Sequence, residues 1–282
     1  MYNYVTDIEG SNKMKLNVLV DNYTFIDHYY YGEPAVSFHI EDEETRILFD
    51  VGYSDLFIKN AKALNLPLDH INYITLSHGH DDHTGGLPYY LEQFHNNRIS
   101  VIAHPDALNE KVLEDIRIGS PISKHQLNTK CKLLLSKHPQ RVTKHLIFLG
   151  EIPASNSFEA RNAIGKRLEE NRYVDDYVLE DSALVYQGEL GIYIITGCSH
   201  SGICNIIEYA KQVCNTDNIL GIIGGFHLFD VNDQVHNTIN YLQNNNVREL
   251  YPCHCTSFDV KCEINKYIPV KEVGVGLILN WN

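Results

Sequence analysis

An α/β fold made of two stacked sheets with helices on the outside is predicted by three observations. The N-terminal region alternates apolar and polar residues at period two, the pattern then changes to strands alternating with helices, and the same scheme recurs in the second half of the chain. Segments 16–20, 35–40 and 46–49 carry the period-two pattern with turn residues between them, so they read as an initial run of strands. Ser54 then caps a helical pattern extending to about residue 64, followed by a strand at 71–76, a helix at 84–94 and a strand at 99–103. The second half supplies strands at 183–187 and 191–196, a helix at about 203–213, a strand at 219–223 and a helix at about 235–244. Strands at 249–252 and 273–277 complete it. Residues 105–182 lie between the halves, read as mostly helical and mixed in charge, and are expected to be a helical insertion within a single domain spanning 1–282.

The chain has 282 residues, enough for one large domain or two small ones at roughly 150 residues each. With 44% hydrophobic and 21% charged residues it has a globular composition, which excludes fibrous and unfolded classes. No apolar run reaches membrane-spanning length, and residues 1–15 carry Asp7 and Glu9 where a secretion signal needs a basic start. A cytoplasmic protein with no membrane association is therefore expected. Seven cysteines scattered between Cys131 and Cys262 are an odd number in a long chain, so most should be free thiols. The net charge of −13 opposes attraction to nucleic acid or anionic lipid, and no nucleic-acid partner is expected. One stretch runs against this balance. Residues 124–145 hold Lys124, Lys130, Lys132, Lys137, Arg141 and Lys144 without an acidic residue, either a solvated face or a basic rim that collects an anionic substrate.

Fifteen histidines direct attention to metal binding. The sequence Ser77-His78-Gly79-His80-Asp81-Asp82-His83-Thr84-Gly85-Gly86-Leu87 directly follows an apolar strand and places four ligand-type side chains, His78, His80, Asp82 and His83, in six positions. At the end of a strand the chain is still extended, so His78 and His80 point to one side and grip one ion. Asp82 and His83, at the turn into the next helix, are offset toward a second.

This motif, preceded by Ile47-Leu48-Phe49-Asp50-Val51-Gly52, resembles the metallo-β-lactamase fold hydrolases. Further pieces resemble one subgroup, the proteins similar to 7,8-dihydropterin-6-methyl-4-(β-D-ribofuranosyl)aminobenzene-5'-phosphate synthase. They are Gly150-Glu151-Ile152-Pro153, Thr196-Gly197-Cys198-Ser199-His200-Ser201-Gly202-Ile203, Gly224-Gly225-Phe226-His227-Leu228 and Cys253-His254-Cys255-Thr256. The resemblance covers about 37–277. It implies a four-layer αββα sandwich, a dinuclear zinc site, with iron or manganese as alternatives, and an Asp50 that orients a ligand histidine.

It also implies that His254 is the last metal ligand and that His200 or Cys198 stands where many relatives place a bridging aspartate, with His200 the favoured ligand. Cys198 then supports the site or adds a thiolate, or is simply a buried small hydrophobe. Cys253 and Cys255, flanking His254, are expected on the opposite face as packing residues. His227 is either a ligand compensating for a middle-motif histidine not otherwise found, or an acid contacting substrate. Asp82 and His227 are the candidate catalytic residues. His104 resembles a non-ligand histidine of relatives. His28, Tyr29, Tyr30 and Tyr31 read as interface or core, or as an aromatic wall for a flat heterocycle. Two departures bear on the pocket: Asp81 replaces a bulky aromatic, making the mouth more polar, and Ala35-Val36-Ser37 replaces Gly-Leu-Ser.

The expected activity is hydrolysis of a small anionic ester or phosphodiester by metal-activated hydroxide. One alternative is the synthase-type condensation releasing pyrophosphate. Another is an iron-binding redox or sensor protein, although electron-transferring relatives need a flavin-binding domain that the five residues after Leu277 do not supply.

Overall fold

The computed structural model describes residues 14–94 and 99–282. The N-terminal stretch read for secretion signals lies almost wholly outside the described residues. Strands β1 (Met14–Val20), β2 (Ser37–Asp42) and β3 (Thr45–Phe49) form an antiparallel meander. After α1 (Leu56–Ala63), β4 (Tyr73–Thr75) joins β3 in parallel. After α2 (Asp81–Thr84) and α3 (Leu87–Gln93), β5 (Ser100–Ala103) joins β4 in the same sense.

The segment 105–182 is not the helical insertion that its pattern predicts. It holds β6 (Lys111–Leu113), β7 (Ile116–Arg117), α4 (Lys124–Asn128), β8 (Lys132–Leu135), β9 (Gln140–Arg141), β10 (Leu146–Phe148), β11 (Lys166–Glu169) and β12 (Arg172–Asp175), so its one helix has five residues. Strands this short complete no hydrophobic period of their own, and some, such as β8 beside β5 and β6 beside β11, pair with segments distant in the chain. Both circumstances hide them from pattern reading. The second half follows as β13 (Ala183–Gln187), β14 (Ile192–Thr196), α5 (Ile203–Cys214), β15 (Ile219–Gly224), α6 (Asp233–Asn244), β16 (Glu249–Pro252), α7 (Phe258–Asn265) and β17 (Ile278–Trp281).

Two large sheets result, ordered β17-β1-β2-β3-β4-β5-β8 and β16-β15-β14-β13-β10-β9, with a small third sheet β12-β11-β6-β7. Period-two alternation sorts their side chains into layers. Leu16, Phe38, Ile47 and Phe49 of the first sheet meet Phe148, Leu184, Ile195 and Ile223 of the second in one buried cluster. The opposite faces pack Leu48, Ile74 and Val101 beneath Phe57 and Tyr90 of the first helices, and Val185, Ile194 and Ile222 beneath Ile206, Ile239 and Val260 of the last three. The layers are therefore helix, sheet, sheet, helix. Each such aliphatic or aromatic side chain taken out of water contributes roughly 1.5–3 kcal/mol.

The basic stretch lies along sheet margins. β8 is the edge of the first sheet and β9 the edge of the second, where Lys132 and Arg141 discourage pairing with another chain. Two other expectations are corrected. The strand expected at 273–277 forms instead at 278–281 as β17; Gly276 has φ +91°, and the expected segment is tied by an isolated bridge of Val275 to Thr24 and by backbone hydrogen bonds of Gly276 and Leu277 to Val18. Helix α7 was not expected, although Ser257, which accepts from the Val260 amide at 3.2 Å, is a legible N-cap.

His39 alternates with Phe38 and Ile40 and so points away from the inter-sheet core. Its two ring nitrogens are buried without hydrogen-bond partners, and burial lowers its pKa to about 4. A histidine held neutral in the fold contributes stability that is fully present above pH 6.5, its ordinary value, and is lost as pH falls from 6.5 toward 4. The loss is on the order of 3 kcal/mol. Urea unfolding of wild type and His39→Leu between pH 7 and 4 checks this: the variant should lose the smaller amount of stability over that window.

Candidate metal centre

Every candidate loop leaves the C-terminal end of a strand, where the crevice of an α/β sheet collects ligands. Asp50 follows β3, His78 follows β4, Cys198 and His200 follow β14, His227 follows β15 and His254 follows β16. Four residues here turn the chain sharply with left-handed backbones: Asp50 (φ 53°), Ser199 (58°), His227 (50°) and His254 (49°). Non-glycine residues seldom adopt this conformation, and such strain concentrates at functional sites because the surrounding structure must enforce it.

The donors converge in three overlapping sets, within each of which the ligand atoms all lie within 4.8 Å of one another: His78 with His80 and Asp82, His78 with Cys198 and His200, and Asp82 with His83, Cys198 and His254. His78 Nε2 stands 3.1 Å from His80 Nδ1. The His78 ring lies 4.7 Å from that of His200, centroid to centroid. Asp82 Oδ2 is 3.5 Å from His83 Nε2 and 3.3 Å from His254 Nε2, and His83 Nε2 is 3.1 Å from Cys198 Sγ.

Asp50 is fully buried and orients this array. Its Oδ1 accepts from the Ser77 amide at 2.7 Å, and its Oδ2 accepts from Ser77 Oγ and pairs with His83 Nδ1, both at 2.7 Å. The pairing fixes the tautomer of His83, leaving Nε2 to face Asp82 and Cys198. Ser37, in the segment that departs from the subgroup, donates to the Asp50 carbonyl at 2.9 Å and holds the turn.

Electrostatics follow from burial. Desolvation keeps His78 and His200 well below the ordinary histidine value and His80 at about 4, which favours their neutral rings. Burial lowers His83 too, but Asp82 and Asp50 on either side more than offset it and hold its pKa well above the ordinary value. Asp82 is pushed up by burial, yet the adjacent imidazoles of His83 and His254 bring it well below the carboxylate range. Burial, together with Cys255 beside it, pushes the Cys198 thiol well up.

The residues fit a metal site on one plain observation: the Nε2 atoms of His80, His200 and His254 are buried without a hydrogen-bond partner. Unpartnered buried nitrogens are costly, and a cation among imidazole, carboxylate and thiolate donors removes that cost.

Three refinements of the sequence reading emerge. The ring of His200 stands 4.7 Å from that of His78 and 5.0 Å from that of His80, which brings it into the donor cluster. Cys198 takes the place between the two histidine groups, its sulfur belonging to a set on each side. Cys255 does not face away: its sulfur is 3.5 Å from the Cys198 carbonyl oxygen, because the left-handed backbone at His254 breaks strand alternation. Cys253 is buried in the inter-sheet core as expected.

His227 belongs to none of the donor sets among the described residues. Its ring lies 4.3 Å from that of His200, on the wall of a cleft of about 280 Å³. Phe229, Asn162, Asn232 and Gln234 also line this cleft, and sequence reading missed all four. No lysine or arginine, and none of Tyr29, Tyr30, Tyr31 or Asp81, lines it among the described residues. Asp81 instead borders a neighbouring depression with Tyr89 and Arg117, its pKa raised to about 6 by burial and by Asp82. His104 pairs with Glu151 at 3.2 Å, outside every donor set.

This chain belongs to the metallo-β-lactamase superfamily, whose family model matches residues 30–213. It is 33% identical over 255 residues to an uncharacterized protein of Methanocaldococcus jannaschii, covering 89% of this chain and 94% of the relative. The 7,8-dihydropterin-6-methyl-4-(β-D-ribofuranosyl)-aminobenzene-5'-phosphate synthase of the same organism is 31% identical, with 88% of this chain and 89% of the relative covered. Among crystal structures, the metal-dependent hydrolase of the β-lactamase superfamily Tm1679 superposes with a TM-score of 0.81 at 25% identity, covering 94% of this chain and 98% of its own. No helix of the described residues is long and apolar enough to cross a membrane.

Proposed function

We propose that this protein is a dinuclear metallohydrolase acting on a small anionic ester or phosphodiester, with zinc as the resident metal. The observation that carries this reading is the convergence of three unpartnered imidazole nitrogens with Asp82 and Cys198 beside an open cleft. His78, His80 and His200 would hold one ion, and Asp82, His83 and His254 the other, with Cys198 between them. When bound, such ions supply Lewis acidity toward a carbonyl or phosphoryl oxygen and acidify water from a pKa of 15.7 toward about 7. Asp50 keeps His83 in the ligating tautomer. Burial lowers the pKa of His227, so that its ring meets substrate as a neutral hydrogen-bonding group on the cleft wall. Two divalent ions less the charges of Asp82 and a Cys198 thiolate leave about +2 at the metal centre, set against Glu159 and Asp230 on the cleft wall. Since no basic side chain lines the cleft among the described residues, the substrate's anionic group is assigned to the ions and the remainder to Phe229 and the amide side chains.

Elemental analysis of purified protein should find two zinc ions per chain. A screen of chromogenic phosphodiester, lactone and thioester substrates should show hydrolysis that a chelator abolishes and zinc restores. Full activity in metal-stripped protein would overturn the reading. The name of the synthase relative favours a second reading, condensation with release of pyrophosphate; pyrophosphate appearing only when both condensation partners are present would establish it instead.

A further inference from the structure

The loop carrying His78 and His80 is gripped from two sides by segments absent from its own sheet. On one side the hairpin of β6 and β7 pairs with it: the Ser120 amide donates to the Gly79 carbonyl at 3.1 Å, the Asp81 amide donates to the Ile118 carbonyl at 2.9 Å, and His80 forms an antiparallel bridge with Gly119. On the other side the Ser182 amide donates to the Ser77 carbonyl at 2.9 Å. The two gripping segments are joined beneath the loop by one side chain. Lys111, at the start of the hairpin, is fully buried, with Nζ 2.5 Å from Asp176 Oδ2 and 2.6 Å from Glu180 Oε1, both carboxylates also fully buried. The lysine lies directly under the metal loop, since a Cβ at Gly79 would meet Lys111 Cε at 2.8 Å.

A buried ammonium with two carboxylates is a poor device for stability, because desolvating three charges costs as much as their attraction returns; fixing a geometry is the better-attested use of such groups. We propose that Lys111, clamped by Asp176 and Glu180, is a positioning residue that sets the spacing of His78 and His80 for the first metal ion. This rests on the reading of the site as a dinuclear centre. The second set is held by other means: the Val36 amide donates to the Asp82 carbonyl, the Val51 amide to the His83 carbonyl, and the His254 amide to Asp21 Oδ1 at 3.0 Å. Loosening the clamp therefore acts on one ion and spares the other.

The test is calorimetric titration of metal-stripped protein with zinc, comparing wild type with two variants. Lys111→Met alone leaves two unpaired buried carboxylates and invites misfolding, so the charge-free Lys111→Met/Asp176→Asn/Glu180→Gln variant is used. Ser120→Pro, which removes the amide donating to Gly79 together with the hydroxyl's contacts to Ile122, provides a cut outside the buried cluster. In both, with circular dichroism unchanged, affinity for one zinc should fall about 10–100-fold while the other binds as in wild type. If Ser120→Pro alone folds, its selective loss decides. Both ions binding at wild-type affinity, or both weakening equally, would overturn the proposal. A wild-type protein that binds fewer than two ions would sink the dinuclear reading itself.

Discussion

Replacing His80 or Asp82 by alanine is expected to lower the metal content from two ions to one per chain and to reduce kcat/KM at least about 10³-fold, the loss of several kcal/mol of transition-state stabilisation. The two variants act differently. His80 faces His78 and the ring of His200, so its loss opens the first set, whereas Asp82 belongs both to the set of His78 and His80 and to that of His83 and His254, so its loss touches both. Stability should respond differently from activity. His80 Nε2 has no partner in the fold, so the metal-free His80→Ala protein should unfold at nearly the wild-type denaturant midpoint, while zinc should stabilise it less than it stabilises wild type. Elemental analysis, steady-state kinetics and urea unfolding with and without zinc provide the check. A His80→Ala or Asp82→Ala protein with full metal content and full activity would remove this loop from the site.

Gly197→Ala should be nearly as damaging although position 197 supplies no side chain to the site. A Cβ there would stand 2.1 Å from Ser77 Oγ, 2.7 Å from Ser77 Cβ and 3.0 Å from Asp50 Oδ2. The methyl must therefore push Ser77 off Asp50, and with it the carboxylate that fixes His83. Overpacking of this kind costs about 1–3 kcal/mol of stability, and loss of a ligand's orienting partner costs about 10–100-fold in metal affinity or activity. Gly221→Ala, in β15 of the second sheet, serves as the control: its Cβ would meet a Tyr193 ring edge at 3.0 Å and Glu249 Cβ at 3.5 Å, neither of them in the donor sets, so it should retain metal affinity. Equal zinc affinity in Gly197→Ala and wild type would show that the Asp50–Ser77–His83 arrangement is not needed for binding.

Much of the site was legible because its ligands are concentrated. His78, His80, Asp82 and His83 occupy one short turn after an apolar strand, and Asp50 and His254 also terminate strands, so local pattern and resemblance both pointed to them. The division of labour between Cys198 and His200 was not legible. Spacing by two does bring both into one set with His78, but β14 ends at Thr196 and Ser199 turns left-handed, and only Cys198 also reaches the set of Asp82, His83 and His254. The same break at His254 brings Cys255 beside Cys198, against the expectation of strand alternation.

The amino-acid sequence by itself determined the sandwich, through period-two strands and amphipathic helices repeated in two halves, and it marked the candidate site, through ligand-type side chains placed at strand ends. Tertiary structure alone decided how 105–182 is used. Its strands are two to four residues long; beside the local pairs β6–β7, β9–β10 and β11–β12, β8 and β10 find partners across the assembled molecule and extend both sheets, and the β6–β7 hairpin leads to the metal loop. It likewise decided that Lys111, one charged residue among many in the chain, is buried between two carboxylates. Local propensity acts over a few neighbouring residues, whereas burial and long-range pairing depend on which distant segments the closed core leaves side by side.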